Sequence, residues 1–349
     1  GVADVVLESA LTTIVDFEDS VATVRAWGED PTGLEVPKQA VEPIDGMRVQ
    51  VAGREVCLFS SNDYLGLSSH PRVRGACAEA AERVGLGPRG SALVCGYTEE
   101  HRALEEDLAE LEGTESALLC PTGYAANLAA ITALADQETA IFSDGWNHAS
   151  IVDGCRLARA DGAELHVYPH GDMDALESLL ARSDRPRKLV VTDGVFSMDG
   201  DLAPLGDLVE LKERHGALLV VDEAHGTLVL GDGGGGACEA AGVADQVDVR
   251  VGTLSKAVGA QGGFLATDGT LRRWLLSRGR AQIFSTALPL PVVAAAREAL
   301  RVARDEPGLR DTLERYRRTL SGVLPASATP IFPLVLGEEA RAMAASARL

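Results

Sequence analysis

From about residue 60 the chain alternates between segments with the apolar spacing of helices and short, nearly continuous apolar segments typical of buried strands. Strands that are apolar on both faces are typical of a mainly parallel sheet covered by helices on both sides. The sequence therefore predicts an α/β fold whose ligands bind at the carboxyl ends of the strands. The predicted strands are 116–119, 139–143, 164–168, 188–192, 217–222, 249–252 and 262–267, and the predicted helices between them are 71–84, 98–112, 127–134, 151–160, 174–182 and 205–215.

Three regions are predicted along the chain. Residues 1–45 form an N-terminal arm with a helix over 9–27, and residues 46–287 form a large ligand-binding domain that opens with a hairpin over 47–59. The remainder, 288–349, is predicted to be a smaller α/β domain.

The predicted C-terminal domain contains few elements. A long helix or helix pair over 288–316 is followed by a strand over 329–336 and a helix over 338–349. Because a single strand cannot form a sheet by itself, we expect this domain to be incomplete in this chain.

The charge of the chain limits its partners. Its 52 acidic residues against 32 Lys and Arg give a formal net charge of -20, which argues against nucleic acid or an anionic membrane surface, although a local basic pocket can still bind an anionic substrate. No apolar run approaches the ~18 residues of a membrane span, and no signal peptide is visible. The six cysteines include no C-x-x-C pair, so we expect neither a disulfide framework nor a metal site, and a cytoplasmic protein.

Lys256 is the residue with the clearest chemical signal. It follows an apolar strand and lies beside two hydroxyls, Thr253 and Ser255. A lysine in such a turn can form an imine with an aldehyde cofactor, and the hydroxyls can hold the phosphate of that cofactor. Asp222 ends the strand 217–222, where its carboxylate can keep a pyridine nitrogen protonated or can cap a helix. Together these residues indicate pyridoxal 5'-phosphate (PLP).

Further polar residues follow other predicted strands. Gly123 lies in a strand–turn–helix segment that suits an anion, although ordinary turns between a strand and a helix have the same pattern. His148 and His225 come after strand ends and can face a cofactor ring or be ordinary loop histidines. We interpret 192–201 (TDGVFSMDGD) as a turn with Asx-type hydrogen bonds, and 233–236 (GGGG) as a flexible loop rather than a phosphate cradle. The other histidines are interpreted as ordinary: His70, His101, His166, His170 and His215.

In combination, these segments resemble the α-oxoamine synthases, a family of fold type I PLP-dependent enzymes. The resemblance runs from about residue 51 to about residue 291. It rests on motifs that occur in the order of the family: SNDYLGL (61–67), GS (90–91) with Gly96, TGYAAN (122–127), NHAS (147–150), FSMDGD (196–201), DEAHG (222–226), GTLSKA (252–257) and FSTA (284–287).

The resemblance implies roles for ten residues. Lys256 forms the imine with PLP and later moves the α-proton of the substrate, for which its pKa must fall well below the ordinary ~10.4. Asp222 pairs with the pyridine nitrogen, and Thr286 reaches the phosphate in the neighbouring subunit, which implies a homodimer with shared active sites. The other implied contacts with the cofactor are His148 stacked on the ring, Ser197 and His225 beside the phenolic oxygen, and Gly123, Tyr124, Thr253 and Ser255 at the phosphate.

The implied activity is that of a PLP-dependent acyltransferase. The closest resemblance is to the members that condense L-alanine with pimeloyl-CoA or a pimeloyl-carrier protein, with loss of carbon dioxide, to give 8-amino-7-oxononanoate for biotin. Glycine C-acetyltransferase, 5-aminolevulinate synthase and serine palmitoyltransferase share the same core, and a non-catalytic paralogue that scaffolds a dimer is a further alternative. A dinucleotide-binding oxidoreductase is disfavoured because no G-x-G-x-x-G follows a first strand.

The arginine with which the family binds the substrate carboxylate has no clear match. Arg25 is the nearest N-terminal candidate, and we expect a second arginine in the parent sequence beyond Leu349.

Overall fold

The computed structural model describes residues 40–337 and 339–346, which divide into two units between Leu58 and Phe59. The described part of the first unit is an antiparallel sheet of β1 (Val41–Pro43), β2 (Arg48–Val51) and β3 (Arg54–Cys57). The hairpin predicted over 47–59 is therefore confirmed. The predicted helix 9–27 and Arg25 lie outside the described residues, and the domain boundaries proposed from the sequence stay predictions.

The second unit is built on a seven-stranded sheet. Along the sheet the strands follow the order β4-β10-β9-β8-β7-β5-β6, and neighbours are parallel except that β10 is antiparallel to both β4 and β9. The predicted mainly parallel α/β fold is confirmed. The strands are β4 (Ser116–Cys120), β5 (Thr139–Asp144), β6 (Glu164–Tyr168), β7 (Arg187–Asp193), β8 (Leu218–Asp222), β9 (Val249–Thr253) and β10 (Gly263–Thr267).

Helices cover both faces of this sheet, as β7 illustrates. Leu189 and Val191 belong to one core, which includes Ile131 of a helix on that face. Val190, between them, belongs to the opposite core with Leu208, because successive side chains of a strand point to opposite faces. The described helices are Pro71–Val84, Glu99–Glu112, Gly123–Leu134, Ala149–Ala160, Met173–Arg182, Leu205–His215, Gly236–Ala240, Gly269–Arg278, Arg280–Ile283, Leu290–Asp305, Gly308–Ser321 and Glu339–Ser346.

The connection between β9 and β10, residues 254–262, is the most consequential loop. Parallel neighbours need a crossover of roughly a dozen residues or more, whereas antiparallel neighbours can be joined by a short turn. Gly259 (φ 70) and Gly262 (φ 134) adopt backbone conformations that other residues rarely take. This tight return keeps Lys256 close to the carboxyl end of β9.

The C-terminal part of the chain differs from the prediction at one element. The predicted helix or helix pair is a pair, Leu290–Asp305 and Gly308–Ser321, interrupted at Pro307. The predicted strand over 329–336 is wrong, since this segment joins no β-ladder among the described residues. Thr329 is instead fully buried and donates a hydrogen bond to the carbonyl of Gly200 at 2.8 Å. Ile331 packs against the core beside β7, whereas Leu334 and Val335 are exposed, so the apolar pattern of this segment reflects neither a strand nor full burial.

Among residues 40–337 and 339–346, no helix has the length and apolar character needed to cross a bilayer.

Candidate active site

Polar side chains gather where neighbouring strands of the large sheet end. Asp144, Asp193, Asp222 and Thr253 are the last residues of β5, β7, β8 and β9. Asp193 and Asp222 are paired in register on adjacent parallel strands. Because the carboxyl ends of parallel strands share one edge of the sheet, the sequence places all four residues at that edge.

The Asp222 carboxylate is buried and held on both oxygens. Its Oδ1 accepts the backbone N–H of Ala224 at 2.8 Å, and its Oδ2 accepts the side-chain amide of Asn127 at 2.5 Å. The same amide nitrogen donates to Ser150 Oγ at 2.9 Å. No helix begins at Asp222, so the alternative reading of this residue as a helix cap is wrong. The two hydrogen bonds fix the orientation of the carboxylate at the sheet edge.

Lys256 lies half-buried on the β9–β10 connection. Burial lowers the pKa of its amine, although the negative charges of Asp222 and Asp193 act in the opposite direction. The amine is therefore close enough to both carboxylates to feel their charge, and it loses its proton more readily than an exposed lysine does. The pKa of Lys256 is therefore lowered, as predicted, by burial alone and without the positive charge of a cofactor ring.

Asp193 belongs to this cluster, although the sequence predicts a turn with Asx-type hydrogen bonds over 192–201. It is only 6% exposed, and its Oδ2 accepts the backbone N–H of His148 at 2.7 Å. Burial, and then the charge of Asp222, raise its pKa well above the ordinary value. The signal that finds this residue is the one used for Asp222, namely an aspartate that directly ends a buried strand.

His225 faces Tyr64, whose hydroxyl lies 2.7 Å from its Nδ1. Burial, followed by the charges of Lys256 and His148, lowers the pKa of His225 to about 3. Burial also raises the pKa of the Tyr64 hydroxyl to about 12, so the hydroxyl and the imidazole are both neutral and share one hydrogen bond. Tyr64 belongs to the motif SNDYLGL but received no role from the sequence.

His148 caps the helix Ala149–Ala160. Its Nδ1 accepts the backbone N–H of Ser150 at 3.2 Å and lies 2.7 Å from Ser150 Oγ. Since Ser150 Oγ also binds Asn127, a chain of hydrogen bonds joins His148 to Asp222. This arrangement fixes the orientation of the exposed imidazole relative to the buried carboxylate.

Gly123 and Thr253 form a closely packed corner. Gly123 begins the helix Gly123–Leu134, which Thr122 caps, and a Cβ added to Gly123 would lie 3.1 Å from Thr253 Cβ. Thr253 Oγ1 donates to the carbonyl of Gly262 at 3.0 Å and lies 2.8 Å from Ser255 Oγ. A helix N-terminus beside hydroxyls and without a side chain in the way suits a phosphate group.

Other predicted residues are not joined to this cluster by a hydrogen bond in the described part of the chain. The hydroxyl of Tyr124 donates to Asp153. Ser197 and Thr286 are exposed, and Thr286 forms an isolated β-bridge with Ser91. The roles assigned to these three residues stay predictions.

The glycine run 233–236 binds no separate anion, because a side chain of the chain itself fills it. The carboxylate of Glu239 accepts the backbone N–H groups of Gly233 at 2.7 Å and Gly235 at 2.6 Å. The predicted loop is present, and an internal carboxylate occupies the place of a phosphate. Within the described ranges, no three His, Cys, Asp or Glu residues are grouped as metal ligands would be.

The fold and the cluster together define a class of protein. A mainly parallel sheet with helices on both faces carries a half-buried lysine, a buried aspartate and a helix N-terminus beside hydroxyls at one edge. Lys256 suits the aldehyde of PLP, Asp222 its ring nitrogen, and the corner of Gly123 and Thr253 its phosphate. These are the features of a PLP-dependent enzyme of fold type I, and PLP is the cofactor.

Comparison with known proteins narrows this class. The sequence model of the aminotransferase class I and II family matches residues 54–349. The chain is 46% identical to the 8-amino-7-oxononanoate synthase of Arabidopsis thaliana, over 96% of this chain and 73% of that protein. It is 50% identical to the synthase of the same name from Anaeromyxobacter dehalogenans strain 2CP-1, over 92% of this chain and 81% of that protein. The chain belongs to the aminotransferase class I and II family and, within it, to the α-oxoamine synthases, and it is a PLP-dependent enzyme of the acyltransferase type.

A solved structure supports the same assignment. The structure of a serine palmitoyltransferase with a PLP internal aldimine is 35% identical, with a TM-score of 0.77, over 81% of this chain and 71% of that chain. The predicted family, fold and cofactor are therefore confirmed.

Replacing Asn127 by Ala is expected to weaken the site. The change removes the side-chain donor to Asp222 and the link to Ser150, and a hydrogen bond to a charged group contributes about 1.5–3 kcal/mol. We expect PLP affinity and turnover to fall by about tenfold or more, measured by titrating PLP into the cofactor-free protein and by steady-state kinetics. The control is Gln137→Ala, since Gln137 is exposed. A change of less than about twofold in a folded Asn127→Ala variant would contradict this account.

NMR of protein labelled with ¹³C-histidine is expected to show His225 neutral down to about pH 4, because its pKa is lowered to about 3. The resonance is assigned by its loss in His225→Gln. Since the folded pKa lies below the unfolded ~6.5, the contribution of this residue to stability is present above pH ~6.5 and is lost as the pH falls toward 3. Titration of His225 near pH 6.5 would show that the imidazole is not desolvated.

Proposed function

We propose that the enzyme condenses L-alanine with a pimeloyl thioester, of coenzyme A or a carrier protein, in the cytoplasm. The products are 8-amino-7-oxononanoate, carbon dioxide and the free thiol, as biotin synthesis requires. The observation that carries this proposal is the half-buried Lys256 amine near Asp222. It occurs in a chain that is 46–50% identical in sequence to proteins named 8-amino-7-oxononanoate synthase.

The proposed roles follow from the environment of each side chain. When bound, PLP supplies a sink for the negative charge that develops at the α-carbon of the amino acid. Lys256 accepts the α-proton, for which its lowered pKa suits it. Asp222, fixed by Asn127, keeps the ring nitrogen cationic and so strengthens the sink. His225 contacts the cofactor through Nε2, because the Tyr64 hydroxyl already occupies Nδ1.

The remaining proposed roles concern binding. His148 presents an exposed imidazole whose orientation is set by Ser150, which suits stacking on the ring. Ser197 contributes a hydroxyl beside the phenolic oxygen. The phosphate is proposed to bind at the helix that Gly123 begins, with Tyr124, Thr253 and Ser255 around it.

Serine palmitoyltransferase chemistry is the second candidate within the family. The similarity to its solved structures favours it, whereas the higher sequence identity to the synthases favours pimeloyl transfer. Glycine C-acetyltransferase and 5-aminolevulinate synthase chemistry have no comparable support here. A non-catalytic scaffold is disfavoured because Lys256 and Asp222 are both present, buried to different degrees and electrostatically coupled.

The substrates are tested by the products formed. With purified holoenzyme, we expect the kcat/KM for L-alanine and pimeloyl-CoA to exceed that for glycine and acetyl-CoA, or for serine and palmitoyl-CoA, by at least about tenfold. Thiol release and mass spectrometry of the amino ketone measure this. Faster turnover with another pair would replace the proposed substrates.

Lys256→Arg is expected to lower turnover by about 10²–10⁴-fold, the usual contribution of a general base. Its matched control is Lys188→Arg. Lys188 lies near the start of β7, at the end of the strand away from Asp193, and this variant should retain turnover.

We also propose that the enzyme is a homodimer with shared active sites. Thr286 supports this, because it is exposed and held in place by its bridge to Ser91. Phe284, two residues earlier, is 72% exposed, and an apolar side chain of this size beside a functional residue favours burial against a second copy.

Mixing two inactive variants tests the shared site. In Thr286→Asp the added carboxylate repels the phosphate of the partner's cofactor, whereas Lys256→Ala removes the lysine. If each site takes Lys256 from one subunit and Thr286 from the other, a heterodimer regains one intact site. After subunit exchange we expect about a quarter of wild-type activity, with each variant mixed with itself as the control. No recovery in a verified heterodimer would place both residues in the same subunit's site.

A further inference from the structure

His170 lies between two loops that carry proposed cofactor-binding residues. Its Nδ1 is 2.9 Å from Asp144 Oδ1, and its Nε2 is 2.8 Å from Asp201 Oδ2. Asp144 ends β5, directly before the loop that carries His148, and Asp201 ends the segment that carries Ser197. One imidazole thus joins two loops, through contacts with residues 26 and 31 positions away in sequence.

The hydrogen bonds define the charge of this imidazole. A carboxylate accepts hydrogen bonds and does not donate them, and a neutral imidazole has a single N–H. Since each ring nitrogen faces a carboxylate oxygen, both nitrogens must donate, and His170 is therefore an imidazolium. Asp144 is only 3% exposed and accepts two further backbone donors, from Trp146 at 2.8 Å and Gly171 at 2.9 Å.

Aromatic packing fixes the plane of the ring. The indole of Trp146 stacks on it with a centroid distance of 4.0 Å and an interplanar angle of 7°. The ring of Phe196 meets it edge-on at 4.4 Å and 82°. Trp146 and Phe196 belong to the same two loops that the hydrogen bonds join, so packing and charge act together on the same segments. A cation over an indole face also gains electrostatic attraction.

We propose that doubly protonated His170 is a positioning residue, which holds the loop of His148 and the loop of Ser197 in the arrangement that binds PLP. It does so through Asp144 and Asp201, and it touches neither cofactor nor substrate. The inference rests on PLP as the cofactor and not on the identity of the acyl donor.

The surrounding charges agree with this role. The titratable groups that face His170 are Asp144 and Asp201. Desolvation opposes the charge of the imidazole, but the hydrogen bonds to these carboxylates outweigh it and raise the pKa of His170 above its ordinary value. Asp144 in turn contributes to the raised pKa of Asp193. The imidazolium therefore also limits the repulsion among the carboxylates at this edge of the sheet.

The sign of the pH dependence follows from the raised pKa. The stabilisation from His170 is fully present below the unfolded value of ~6.5 and is lost as the pH rises through the folded value. At higher pH one nitrogen loses its proton and one loop loses its tie, so PLP affinity falls.

The test measures PLP affinity of the cofactor-free protein against pH. His170→Phe keeps a flat ring for Trp146 but removes both donors, and His170→Gln removes the charge while keeping an amide donor. We expect the Kd for PLP to rise by about tenfold or more in His170→Phe and less in His170→Gln. In the wild type, PLP binding should weaken at high pH as His170 loses its proton. In both variants this pH dependence of PLP binding should disappear.

His166→Phe is the matched control. His166 also stacks on an aromatic ring, Phe142, and pairs with a single carboxylate, Glu164, on β6. This variant should bind PLP within about twofold of the wild type and keep the full pH profile. If His170→Phe matches this control, or if it loses thermal stability with an unchanged Kd and pH profile, the positioning role is overturned.

A second measurement needs no variant that must fold. In ¹³C-histidine NMR spectra of the native chain, His170 should titrate with a midpoint above ~6.5 and show a charged ring below it. A neutral tautomer at pH ~6, or a midpoint below 6.5, would overturn the proposal even if the variants are unstable.

Discussion

Two buried aspartates, Asp193 and Asp222, end neighbouring parallel strands. The other contacts of the site offset the free-energy cost of burying two carboxylates side by side. A buried carboxylate is costly unless it is hydrogen-bonded or paired with a cation. Asp222 receives donors from Asn127 and Ala224, and Asp193 receives the backbone N–H of His148. These donors come from the segments that directly follow β4, β5 and β8.

Three basic side chains lie near this edge, and they differ in how readily each holds a proton. Burial lowers the pKa of the Lys256 amine, and the opposing charges of Asp222 and Asp193 only partly offset this effect. His170 is the opposite case, because two direct carboxylate partners keep it protonated. His225, which has Tyr64 rather than a carboxylate as its partner, is neutral. Three basic side chains at one edge thus have three different protonation properties, each set by its immediate neighbours.

Much of the fold was predictable from the sequence because its signals are local. The seven strands of the large sheet and most helices match their predicted ranges within two residues, since apolar runs and their periodicity reflect burial directly. The helix Gly123–Leu134 begins earlier than predicted, because a glycine at its start looks like part of a turn. The segment 329–336 resembles a strand in sequence because it is apolar, yet it joins no ladder and its Leu334 and Val335 are exposed.

The candidate site was predictable only in part, for a related reason. Asp222 ends β8 and Lys256 follows β9, so the position of each in the sequence is enough to indicate its chemistry. Asn127 and Tyr64 act through partners 95 and 161 residues away, and no local pattern indicates such contacts. Asp193 lies between these cases, since it ends a strand as Asp222 does but occurs in a segment rich in turn-forming residues.

The direction of β10 connects the fold to the chemistry. If β10 were parallel to β9, the connection after Thr253 would need a crossover of roughly a dozen residues or more. Because β10 is antiparallel, residues 254–262 turn back at once, and Thr253 can bond the carbonyl of Gly262 across the loop. The same return brings β10 beside β4, where Gly263 packs so closely against Thr122 that an added Cβ would lie 2.4 Å from its carbonyl oxygen. The single reversed strand therefore brings the lysine, the hydroxyl of Thr253 and the helix that Gly123 begins to one corner of the sheet.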